Sequence, residues 1–260
     1  MGADGKVDYN PIEKYLHAVD MLNKGFTIEE IKSYMGFKKV QDVRQAIEIV
    51  KLMDEYLITY DYEGIYTQIP SGSEDRLLKL NDAIKKIKEG GISWIPTDGK
   101  DEVINDLKAI CFDFIRLGEY NQEEYRSIMQ GNYSFLANES IWKKFVKSYF
   151  DKVEEVSEEK PTEKVLETSK SDEDSTRLLR ARDNEWKSAV KEVVSEAFTE
   201  SKISLDNSKD KDEPLKLLKK AINALSSINH ETIKSAENKM ELSERIQEIT
   251  DLIEEIKTDI

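Results

Sequence analysis

The sequence predicts an all-α protein with an N-terminal helix-turn-helix unit, a second helical core, and a C-terminal helical hairpin or short coiled coil. Three observations carry this expectation. Apolar residues return at spacings of three and four along most of the 260 residues, the period of a helix with one buried face. Glycines and capping side chains stand where those periodic runs begin and end. Only one stretch, LITYDYEGIYTQIP, alternates apolar and polar residues in the manner of a strand.

Asn10 and Pro11 open the first element as cap and first helical residue, and Ile12, Leu16, Val19 and Leu22 follow at helical spacing up to Asn23-Lys24-Gly25. Thr27 starts the next helix with Glu30 three residues later, a capping box, and Gly36 ends it. A third helix is expected from about Gln41 to Tyr56. In the alternating stretch two readings fit: a small hairpin over 58–69, or tyrosines that cover the end of the third helix. Ser73 then begins a helix with Leu77, Leu80, Ile84 and Ile87, stopped by Gly90-Gly91, which closes a region of 10–92.

A helical region of 98–152 follows. Ile104, Leu107, Cys111, Phe114 and Ile115 form one apolar face, Tyr125, Ile128 and Met129 a shorter one, and Asn138 caps a helix with Ile141, Trp142, Phe145, Val146 and Tyr149. From Asp151 to Thr176 the chain holds ten acids, four lysines and Pro161, so 153–176 reads as an acidic linker. Region 177–260 is helical again. Trp186, Val190, Val193, Val194 and Phe198 make one face, and the polar run SLDNSKDKDEP is expected to break the helix before Leu215, Leu218, Ile222, Leu225 and Ile228. After Asn229, Leu242, Ile246, Ile249, Ile253, Ile256 and Ile260 alternate at spacings of four and three, a seam for self-association or for a hairpin.

Composition narrows the function. With 53 acidic against 39 basic residues the formal net charge is −14, which opposes non-specific adhesion to nucleic acid or anionic membrane but leaves room for a local basic face. The single cysteine, Cys111, sits in an apolar run and reads as a buried small hydrophobe. The N-terminus lacks the apolar segment of a signal peptide, and no run reaches the length of a membrane span. A soluble, cytoplasmic protein is expected. Phosphate loops, dinucleotide fingerprints and nucleophile elbows are absent from the sequence. One cysteine and two distant histidines, His17 and His230, do not make a zinc cluster. No catalytic residue, metal or cofactor is implied.

The candidate site is the helix-turn-helix. Ile28, Ile31, Met35 and Phe37 serve the bracing helix, Gly36 the turn, and Val43, Ala46, Ile47 and Val50 the inward stripe of the second helix. Lys38, Lys39, Gln41, Arg44 and Gln45 then face outward as donors to phosphates and base edges. Lys32 stands where the usual pattern has alanine or glycine, and the turn is about one residue longer than the tight form.

The segment NPIEKYLHAVDMLNKGFTIEEIKSYMGFKKVQDVRQAIEIVKLMDEYL resembles the helix-turn-helix region of ParB-like proteins. The matching residues are Gly25, Phe26, Thr27, Glu30, Ile31, Gly36, Val43, Ile47 and Leu52. The resemblance covers about residues 10–58 and implies sequence-directed binding of double-stranded DNA within a segregation, transcription or phage-type protein. ParB-like proteins carry a nucleotide-binding or nuclease-like domain before this region. Here only nine residues precede it, so CTP-dependent clamping and nuclease activity are not carried over. The rival expectation is an acidic helical adaptor that binds another protein and not DNA.

Overall fold

The computed structural model describes residues 11–118, 122–157, 162–228, 233 and 238–258, and its elements are α-helices and short 3-10 turns. The fold is all-α, as expected. In order the helices are α1 (Pro11–Asn23), α2 (Ile28–Met35), α3 (Val40–Thr59), α4 (Ser73–Lys88), α5 (Lys100–Leu117), α6 (Gln122–Met129), α7 (Glu139–Val156), α8 (Thr162–Leu166), α9 (Asp172–Ser226) and α10 (Lys239–Thr258). The chain divides into two compact units, 1–206 and 207–260. Asn10, His230 and Ile260 lie outside the described residues.

Local chemistry accounts for most boundaries. Asn138 caps α7 by accepting the Ile141 N–H at 3.2 Å. Glycines in the left-handed conformation follow α2 and α5. The core of the first unit runs from Ile12 on α1 to Leu205 on α9, so residues expected in two successive regions, 10–92 and 98–152, contribute to one hydrophobic cluster. At its centre Phe114, Phe135, Phe145 and Tyr149 stack at ring separations of about 5–6 Å.

Three expectations are corrected. The hairpin over 58–69 does not form: α3 continues to Thr59, and a 3-10 turn at Tyr66–Gln68 follows. Tyr60 and Tyr62 turn inward and are buried, so the alternating pattern reports side chains folded over a helix end. The expected linker is structured in part: Thr162–Leu166 forms α8, and Val165 and Leu166 pack on the core. The polar run before Pro214 does not break α9, which passes through it. Beyond Leu205 polar residues share the helix with exposed Leu215, Leu218, Ile222 and Leu225, and a stretch rich in polar residues is as compatible with a solvated helix as with a loop. Pro214 still removes one backbone hydrogen bond there.

Candidate nucleic-acid interface

Helices α1, α2 and α3 form a tri-helical unit around Ala18, Ile31 and Val43, each without solvent contact. Met21, Leu22, Ile28, Met35, Phe37 and Ile47 close the small core from the rim. Burying one side chain of the size of Ile31 contributes about 1.5–3 kcal/mol, to which the partly buried Ile28 and Met35 of α2 add. The capping box is complete. Thr27 Oγ1 accepts the Glu30 N–H at 3.3 Å, and Glu30 Oε2 accepts the Thr27 N–H at 2.8 Å. These bonds hold the Glu30 carboxyl below its usual range, the backbone bond most of all. Gly36 has φ 67, and its N–H and that of Phe37 both return to the Lys32 carbonyl. Lys32 itself is half-buried.

The second helix starts one residue earlier than its apolar stripe requires, at Val40, with Lys39 as N-cap. Lys38 and Lys39 are exposed just before it, Gln41 and Arg44 are exposed on its first turns, and Gln45 is half-buried. Among the described residues Lys38, Lys39 and Arg44 make no ion pair, whereas Lys24 and Lys51 are tied to Asp20 and Glu48, four and three residues before them. Lys14 lies over the Phe37 ring at 4.2 Å and adds a cation beside the turn. Acids lie close by. Asp42 Oδ2 accepts the Lys39 N–H at 3.0 Å and so occupies one of the free amides at the start of α3. Burial raises the Tyr15 phenol, and the charges of Glu74, Asp75 and Asp42 raise it further.

A buried polar cluster was not anticipated from the sequence. Arg116 on α5, 1% exposed, donates through Nε and Nη2 to Asp183 Oδ1 on α9 at 3.1 and 2.5 Å. Its guanidinium lies over the rings of Tyr60 and Trp186 at 4.5 and 4.3 Å. Tyr62 donates to Asp183 Oδ2 at 2.6 Å, while Tyr60 and Tyr149 both donate to Asp113 at 2.7 Å. Arg182 reaches the Tyr60 carbonyl at 2.7 Å and pairs with Asp61. With Arg116, Arg182 and Asp183 nearly enclosed, this cluster ties α9 to α5 and to the residues that follow α3. The one signal in the sequence was an Asp and an Arg inside the apolar run ICFDFIRL.

Cys111 has no solvent contact, and burial pushes its thiol well above the usual range. His17 is exposed on α1. Among the described residues no group of three or more His, Cys, Asp or Glu is placed to hold a metal ion. No described helix is long and apolar enough to cross a membrane. Comparison with protein-family models, with curated proteins and with solved structures finds no match.

Proposed function

We propose that this chain binds double-stranded DNA through the start of α3, with Lys38, Lys39 and Arg44 on phosphates or base edges and Gln41 and Gln45 as neutral donors. The observation that carries the reading is the trio of exposed basic side chains without ion-pair partners, around the start of α3 in a closed tri-helical unit. The acidic remainder of the molecule disfavours unspecific contact, so binding depends on a fitted site rather than on bulk attraction. A mobility-shift titration at low salt tests it. The double charge reversal K39E/R44E is expected to abolish the shift. With three phosphate-neutralising cations per copy, log K should fall with log salt at a slope of about −3. Absence of any shift by the wild type on pooled genomic fragments overturns the reading.

A second reading, self-association through the C-terminal helices, is favoured by a different observation. The seam residues Ile246, Ile249, Ile253 and Ile256 of α10 are exposed, as are Leu215, Leu218, Ile222 and Leu225 on the last turns of α9. Helices gain most of their stability from a packed apolar face. Self-association of copies through residues 207–260 would cover these faces. Sedimentation velocity of the full chain against a form ending at Asp206 distinguishes the cases. Concentration-dependent mass in the full chain alone supports association, and identical monomers remove it.

A further inference from the structure

A groove of about 480 Å³ opens between the start of α5, the segment before it, and the first turns of α7. That volume lies within the range of small-molecule sites, which combine apolar walls with a few placed polar groups. One wall is the Trp94 indole, pinned by a 2.9 Å hydrogen bond from its Nε1 to the Leu136 carbonyl. Val103, Val146 and the edge of Trp142 continue the apolar lining.

The polar lining is unbalanced. Glu102 and Asp106 stand one turn apart on α5, and neither carboxylate has a hydrogen bond or an ion pair. A like-charge pair at this spacing destabilises its helix. Burial raises the Asp106 carboxyl above its usual range, and Glu102 raises it further. Across the groove Lys143 is neutralised by Glu139 at 2.7 Å, which leaves the Lys147 ammonium without an ion pair. Two unpaired carboxylates less one unpaired ammonium leave a single negative charge beside a fixed aromatic wall.

We infer that this groove is a binding site for a monovalent organic cation, an alkylguanidinium or alkylammonium group, seated on Trp94 with its charge between Glu102 and Asp106. The flat π-face attracts a desolvated cation, the carboxylates offer charge-assisted acceptors, and the valine walls receive an alkyl stem. A divalent metal ion does not fit a lining with one excess charge and two indoles. The same chemistry is offered by a free guanidino or amino compound and by an arginine or lysine side chain of a partner protein. The inference is independent of the DNA reading, because the groove and the α3 surface share no residue.

The test is tryptophan fluorescence and calorimetric titration of the full chain with three probes: n-butylguanidinium, its neutral isostere n-butylurea, and a blocked Gly-Arg-Gly peptide. Butylguanidinium is expected to bind and butylurea not. The double variant Glu102→Gln with Asp106→Asn is expected to weaken the cation at least tenfold. A peptide tighter than butylguanidinium assigns the site to a partner's side chain, and a weaker one to a free compound. That variant should also melt at a higher temperature than the wild type without ligand, since the like-charge pair is gone, which shows that its loss of binding is not loss of fold. Equal binding of butylurea, undiminished binding by the variant, or no response to any probe overturns the inference.

Discussion

Two single residues fix more of this molecule than their neighbours do. Gly36 adopts φ 67, a conformation that costs an L-residue roughly 1 kcal/mol, and space around it is open. Gly36→Ala should therefore lower stability by about 1 kcal/mol through the backbone alone, read as a shifted urea midpoint with an unchanged m-value. Asp183 is the second. Asp183→Ala removes the carboxylate that both the enclosed Arg116 and Tyr62 bond, and is expected to cost about 3–5 kcal/mol. Combined replacement by Arg116→Met and Asp183→Leu should recover part of that loss in the same denaturation experiment. If the single and double variants are equally unstable, the pair is not what fastens α9 to the core.

At the scale of elements, caps and glycines were legible because they act within four or five residues. The Thr27–Glu30 box, the Gly36 stop and the Asn138 cap all stand where local chemistry puts them. Thr27→Ala should cost about 1 kcal/mol by removing one of these caps, again measurable from the unfolding midpoint. What the sequence concealed depends on partners distant along the chain. Tyr60 and Tyr62 alternate with polar residues like a strand, yet they are drawn inward by Asp113 and Asp183, 53 and 121 residues away. Polarity likewise hid the continuity of α9, since a solvated helix and a loop draw on the same residues. The basic positions at the start of α3 were legible as exposed, being set by the apolar stripe behind them. The acids around Tyr15 were not, because Glu74 and Asp75 come from α4.

For the whole molecule, the first unit closes around aromatic side chains that must remain neutral. Burial holds the phenols of Tyr56 and Tyr62 well above their usual range. It also raises Tyr66 to about 12, with the hydrogen bond that Tyr66 donates to Asp54 adding to the effect. A pKa raised by folding means that the folded state keeps its protons while the unfolded state releases them. The associated stability is complete below pH 10 and is lost as the pH climbs from about 10 toward 12. Absorbance at 295 nm should consequently show a delayed, cooperative tyrosine titration coincident with loss of helical signal. Titration of all eleven tyrosines near pH 10 with the helical signal intact would count against buried phenols. The groove beside Trp94 was beyond sequence reasoning altogether, since α5 and α7 meet there only through the fold.

Helix α3 belongs to both cores: Val43 and Ile47 serve the small one, Ile49, Leu52, Met53 and Tyr56 the large one. Its consequence lies in native-state hydrogen exchange. Amides in the second half of α3 should be released only by global unfolding, with protection equal to the full stability of the first unit. Those of α2, which buries a single residue, should exchange through local opening that leaves α3 in place. The second half of α3 would thus stay rigid while the helix that braces its start breathes.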